Sequence, residues 1–184
     1  RDTAFGFAYP HMFGDWRAAG AELAFFSPLA DEAPDPASDA VFLPGGYPEL
    51  HAGRIAGAAR FLQGIAVAAG RGAVIHGECG GYMVLGRGLV DDAGTRHRMA
   101  GLLPLETDFS SPARTLGYRR LAALAGPWAG AALRGHEFHY ARTLSAEGPP
   151  LYRAADAAGA DLGTIGLAVG QVSGSFAHVI EPER

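Results

Sequence analysis

The sequence predicts an α/β domain with a mostly parallel sheet flanked by helices and an antiparallel extension in the C-terminal half. Three observations predict it. Up to about residue 85, short apolar runs alternate with helix-like stretches, the texture of βαβ units. After about residue 99, strand-like runs follow one another with few helices between them. Between the two regions, an apolar run enters a glycine turn around the only cysteine, and a helix-like stretch follows.

The elements are expected in this order. Residues 4–9 form a short buried strand ending at Pro10. Residues 16–20 are helical and stop at Gly20. Residues 22–26 are a second strand, closed by Ser27-Pro28, and residues 31–39 are an acidic, proline-bearing loop. Residues 40–43 are a third strand leading into Pro44-Gly45-Gly46. Residues 54–69 carry Ile55, Ala58, Leu62 and Ile65 at helical spacing. Residues 73–76 are a fourth strand, and 82–85 begin the helix beyond the glycine turn. Strands then follow at 99–109, 115–124, 133–144, 151–155 and 164–169. The stretch 162–180 carries Gly166, Gly170 and Gly174 at four-residue spacing, like a membrane helix with a small-residue face. Its polar residues and the alternation of Ile165, Leu167 and Val169 mark a strand instead. Residues 1–184 read as one domain, and a strand starting almost at residue 1 is expected to continue from a longer polypeptide.

Composition narrows the function. The net charge of −4 gives no reason to expect a nucleic acid or an anionic membrane as partner. All fifteen basic residues are arginine. That excludes a Schiff-base lysine and a phosphate-loop lysine within the chain, so any ATP must be bound by another domain. The single cysteine forms no intrachain disulfide, which suits a reducing cytoplasm.

The chemistry centres on Val74-Ile75-His76-Gly77-Glu78-Cys79-Gly80-Gly81-Tyr82-Met83. A strand enters Gly-x-Cys-x-Gly and a helix leaves it, the thiol form of a nucleophile elbow. Glycines on both sides permit the sharp turn, and a helix N-terminus behind the sulfur favours the thiolate. Cys79 is therefore the candidate nucleophile, with Gly80 and Gly81 at the turn. Gly45 and Gly46, after the preceding strand, are candidates for the second part of an oxyanion hole. His178 is the candidate base, because it lies in a late segment near the end of the last strand. His76 is on the strand side of the turn and reads as structural. Glu181, three residues after His178, is a possible orienting carboxylate. His136-Glu137-Phe138-His139-Tyr140 does not have metal-site spacing. On a strand its two histidines point to opposite faces, so it reads as a polar strand facing substrate and no metal is expected.

These segments, taken in order, resemble the C-terminal domain of the cobyrinic (hydrogenobyrinic) acid a,c-diamide synthases. The matching stretches include Ala4-Phe5-Gly6-Phe7-Ala8-Tyr9-Pro10, Phe25-Phe26-Ser27-Pro28-Leu29, Pro44-Gly45-Gly46-Tyr47-Pro48-Glu49-Leu50-His51, Gly77-Glu78-Cys79-Gly80-Gly81-Tyr82-Met83, Met99-Ala100-Gly101-Leu102-Leu103-Pro104, Leu116-Gly117-Tyr118-Arg119 and Gly135-His136-Glu137-Phe138-His139-Tyr140. The resemblance implies a class I glutamine amidotransferase domain with a flavodoxin-like core. It implies that Cys79 attacks the glutamine carboxamide with help from His178, and that ammonia passes to an N-terminal synthetase domain. That domain, absent from this chain, would bind Mg-ATP and phosphorylate the a and c carboxylates of a corrin, placing His136 and His139 as corrin-facing candidates. The His-x-Glu common in class I enzymes is one residue longer here, as His178-Val179-Ile180-Glu181. Three rival readings remain at this stage: the glutaminase domain of cobyric acid synthase, a stand-alone cysteine hydrolase of similar fold, and a non-enzymatic docking domain for the corrin.

Overall fold

The computed structural model describes residues 2–183. Among these residues, four α-helices and thirteen strands follow one another. The helices are α1 (Pro10–Ala18), α2 (Ala52–Gly57), α3 (Ala59–Gly70) and α4 (Gly80–Leu85). The strands of the first half are β1 (Ala40–Leu43), β2 (Val74–Glu78), β3 (Gly88–Val90), β4 (Arg96–Arg98) and β5 (Leu105–Asp108). Those of the second half are β6 (Thr115–Ala123), β7 (Ala132–His139), β8 (Arg142–Ala146), β9 (Tyr152–Ala155), β10 (Asp161–Ile165), β11 (Leu167–Val169), β12 (Val172–Ser175) and β13 (Ala177–Pro182).

They form three sheets. The first has the order β1-β2-β12-β11, with β1, β2 and β12 parallel and β11 antiparallel at its edge. The second is the antiparallel sheet β10-β9-β6-β7-β13. The third, β4-β3-β5-β8, is mixed. The predicted class is the observed one: a parallel core with an antiparallel extension. The parallel part is narrower than a full doubly wound sheet.

The core follows from the helical spacing of α3. Phe61 and Ile65 are fully buried against Ile75 of β2 and Leu43 of β1. Each such side chain contributes roughly 1.5–3 kcal/mol by leaving water. A second apolar cluster, around Leu121, Leu133, Leu151 and Tyr152, underlies the antiparallel sheet.

Several local expectations are corrected. Residues 4–9 are not a strand. Asp2 accepts from Ala4 N–H and caps the 3-10 turn Thr3–Phe5, while only Phe7 makes a bridge, donating to Gly45 O at 2.9 Å. The helix that follows begins at Pro10, earlier than expected, because proline suits a first helical position. No ladder among the described residues includes residues 22–26, so their β-forming composition yields no strand. The single helix expected over 54–69 is two helices, because Ala58 leaves helical backbone space at ψ 77°. There Asp31 accepts from Phe61 N–H at 3.0 Å and caps the second piece. The strand expected at 133–144 is two strands, and that at 99–109 is confined to β5.

Two further breaks position the site. Gly166, at φ 71°, divides the run expected at 164–169, sending β10 to the antiparallel sheet and β11 to the parallel one. Phe176 likewise divides β12, beside β2, from β13, beside β7. The chain thus leaves the parallel core next to Glu78 and carries His178 across onto the neighbouring sheet.

Candidate active site

Cys79 occupies the corner between β2 and α4 at φ 48° and ψ −107°. It is one of only two non-glycine residues at positive φ among those described. Such backbone is sparsely populated for a residue with a Cβ and costs on the order of 1–3 kcal/mol. Tertiary contacts hold it: Cys79 N–H donates to Ser175 O at 2.8 Å, and its carbonyl accepts from Met83 N–H at 3.1 Å. The surrounding glycines permit close approach. A Cβ on Gly81 would lie 2.0 Å from Leu43 O, and one on Gly80 would lie 2.6 Å from Pro48 Cδ.

The backbone N–H groups of Gly46 and Gly80 both stabilise charge on Cys79 Sγ. One donor thus comes from each glycine turn, the arrangement an oxyanion requires. The other two expected glycines act sterically. Gly81 lets α4 pack on β1, and Gly45 makes room for an imidazole. A Cβ on Gly45 would lie 2.2 Å from His178 Cε1, 3.0 Å from its Nε2 and 3.2 Å from Cys79 Cβ. The structure therefore brings His178 and Cys79 together beside Gly45.

The carboxylate beside His178 is Glu78. Its Oε2 lies 3.7 Å from His178 Nδ1, and its Oε1 accepts from Val179 N–H at 3.0 Å. Glu181, the expected orienting carboxylate, is exposed and stands opposite Arg134 in the β13–β7 register. It does not approach the buried imidazole. The crossing at Phe176 turns this part of the chain so that the partner comes from β2, the strand that leads into Cys79. His76, expected to be structural, is buried and hydrogen-bonded through Nδ1 to Ser173 Oγ at 2.9 Å. Its Nε2 lies 3.9 Å from Glu78 Oε1, so Glu78 stands between two histidines.

The pair singled out as corrin-facing candidates lies beside this site. His136 pairs with His178 across the β7–β13 ladder, and their rings stack at 4.8 Å. The Tyr9 hydroxyl and His136 Nδ1 are hydrogen-bonded at 2.8 Å. His139 donates through Nδ1 to Ala141 O at 3.0 Å, stacks on Phe176 and lines the Cys79 cleft.

Burial sets the resting charges. Burial first, then the charge on Glu49, pushes the Cys79 thiol up to about 12, against the opposing pull of the Gly80 and Gly46 N–H groups. The expected preference for thiolate does not hold in this state. Burial, then His136 and His139, depresses His178 to about 4, and burial depresses His76 to about 3. Burial raises Glu78 to about 8. The site rests as a neutral thiol beside a neutral imidazole. Its cleft is narrow, about 10 Å³, room for about one water.

Glu78 and Glu49 are the ionisable groups that the sequence reading did not single out. Strand parity carried the signal for Glu78. It shares a face of β2 with His76, two ionisable residues pointing the same way on an otherwise apolar strand.

This fold agrees with known proteins. The model of the CobB/CobQ-like glutamine amidotransferase domain matches residues 5–184, and the chain belongs to that family. Hydrogenobyrinate a,c-diamide synthases are similar to it: that of Brucella abortus at 58% identity and that of Sinorhizobium sp at 57%, each over 98% of the chain. That of Rhodobacter capsulatus is 55% identical over the same share. The chain spans about 42% of the length of these relatives. Among solved structures, PurLQS from Thermotoga maritima superposes with a TM-score of 0.53 at 25% identity, covering 80% of this chain and 71% of that one. A glutamine amidotransferase crystal structure superposes at 0.51 with 16% identity, covering 76% and 70%, a likeness of fold alone.

Proposed function

We propose that this chain is the glutaminase part of an enzyme that amidates the a and c carboxylates of (hydrogeno)cobyrinic acid. The observation that carries the glutaminase reading is the Cys79 corner itself. A strained, buried cysteine faces two backbone donors and a histidine, in a family of glutamine amidotransferases. The corrin substrate is supported by relatives at 54–58% identity that are hydrogenobyrinate a,c-diamide synthases.

The residues suit the following sequence. As Cys79 Sγ attacks the carboxamide carbon of glutamine, its proton passes to His178 Nε2. The carbonyl oxygen becomes an oxyanion and accepts from Gly46 and Gly80 N–H. The C–N bond breaks, and His178 returns the proton to the departing nitrogen, which leaves as ammonia. A γ-glutamyl thioester remains on Cys79. Water then gives a proton to His178 and attacks the thioester carbonyl. The C–S bond breaks, the thiol is reprotonated and glutamate departs. Glu78 is the positioning residue, facing His178 Nδ1 when the imidazolium forms.

In this reading the ammonia goes to a synthetase domain elsewhere in the polypeptide, where Mg-ATP activates the corrin carboxylates. The absence of lysine supports assigning the phosphate chemistry to that domain. The narrow cleft supports a site that opens or assembles fully only with that partner. No helix among the described residues is long and apolar enough to cross a membrane. The test is labelling of the full-length enzyme with a diazo-ketone analogue of glutamine, followed by mass spectrometry. The adduct is expected on Cys79. Loss of activity with Cys79 unmodified would sink the assignment.

A further inference from the structure

Glu49 has no task in that sequence of steps. It lies in the 3-10 turn Pro48–His51, three residues beyond Gly46. Only 8% of the residue is exposed, and its Oε2 has no hydrogen-bond partner. An orphaned buried acceptor of this kind is costly, because it has given up water without gaining a partner. When ionised without a partner, Glu49 also opposes the chemistry, because its charge raises the thiol's pKa. A group that is costly and obstructive when the site is empty has a role that begins when the site fills.

The position of Glu49 indicates that role. It lines the Cys79 cleft together with Gly46, Tyr47, Phe138 and His139, and it is the only acid in that lining. If the substrate is glutamine, the reading on which this inference rests, the molecule brings a fixed cation. Its carboxamide meets Cys79, and its α-ammonium lies at the other end of a short chain.

We propose that Glu49 receives the α-ammonium of glutamine, its Oε2 accepting an N–H from the bound amino acid, and thereby selects α-amino amides over simple amides. One turn of backbone then grips both ends of the substrate: Gly46 N–H the carboxamide oxygen, Glu49 the ammonium. The arriving cation supplies the missing partner and screens the thiol from the carboxylate. Burial holds the empty Glu49 carboxyl up, at about 7. A neighbouring ammonium favours its charged form. Glu49 is thus set to ionise as substrate enters.

The test compares glutamine with glutaramate, the same amide without the amino group, on the full-length enzyme. Glu49→Gln is expected to lower kcat/KM for glutamine about 10- to 100-fold, chiefly through KM, the range for a lost charge-assisted hydrogen bond. Turnover of glutaramate is expected to stay within a few-fold of wild type. Alkylation of Cys79 by iodoacetamide, which carries no ammonium, is expected to be no slower. Glu49→Asp keeps the charge one carbon further back and is expected to retain part of the discrimination. If both amides lose activity equally in Glu49→Gln and Glu49→Asp, Glu49 serves the fold or the thiol and the proposal is overturned. Unchanged glutamine kinetics overturn it too. A wild-type enzyme that turns over glutamine separates these failures from failure of the glutaminase reading. One that does not consume glutamine overturns both together.

Discussion

Replacing Gly45 with alanine tests whether the contact between His178 and Cys79 is the working one. The new Cβ would lie 2.2 Å from His178 Cε1, whereas ordinary contact begins at about 3.4 Å. The imidazole must therefore shift by at least about 1.2 Å from its place beside Cys79. Gly45 is not at positive φ, so the alanine adds no backbone strain. The clashing atom belongs to a side chain, so the fold is expected to survive. Displacement of a catalytic group by about 1 Å costs roughly a hundredfold in rate. Glutamate release from glutamine by the full-length enzyme is accordingly expected to fall about a hundredfold in kcat. Amidation driven by added ammonia should persist, and thermal unfolding should move little. Glutamine turnover within about threefold of wild type would refute the reasoning, because His178 would then not need the place where the structure puts it.

Cys79→Ser is expected to abolish glutamine-driven amidation and keep ammonia-driven amidation; loss of both would point to a damaged fold. Cys79→Gly should be more stable than Cys79→Ala by about 1 kcal/mol in denaturant titration, because glycine relieves the φ 48° corner and alanine does not. Gly81→Ala is expected to destabilise by several kcal/mol, because its Cβ meets rigid Leu43 backbone at 2.0 Å. Stability should also depend on pH with a definite sign. Folding raises Glu78 from 4.5 to about 8, so the folded state holds more protons across that window and its stability falls as pH rises. Glu49, raised to about 7, acts in the same direction up to that pH. His178 and His76, depressed to about 4 and about 3, act oppositely but only below about 6.5, where an unfolded histidine titrates. Between pH 6.5 and 8 the carboxyls dominate. Melting temperature is therefore expected to decline over that range in wild type and to decline less in Glu78→Gln. The same variant should lower kcat for glutamine more than it raises KM, as expected for a residue that positions His178.

Local pattern made part of this protein legible. The corner at Cys79 is a short-range device: strand, glycine, cysteine, glycine, helix. Gly45-Gly46 is another, and both appear where they were expected. The change from alternating helices and strands to consecutive strands likewise survives as a parallel core and an antiparallel sheet. Failures came where local composition needed a partner. Residues 22–26 have the composition of a strand, but a strand exists only within a ladder, and the described sheets end without them. Residues 4–9 were captured by Asp2 capping and a proline-led helix. Gly166 and Phe176 divide runs that the sequence presents as continuous, because neighbouring sheets compete for the two halves.

The sequence by itself thus determined the candidate nucleophile and the kind of turn that holds it, since both depend on backbone within a few residues of Cys79. Only the tertiary structure decided the company Cys79 keeps. Glu181 is near His178 in sequence, yet Glu78, a hundred residues away, faces its Nδ1. His136 stacks on His178, and His139 stacks on Phe176 at the cleft, company that the sequence order does not show. The physical reason is the crossing at Phe176. It fixes which strand faces His178, and burial at that junction, rather than the helix behind the sulfur, sets the resting charge of Cys79 and His178.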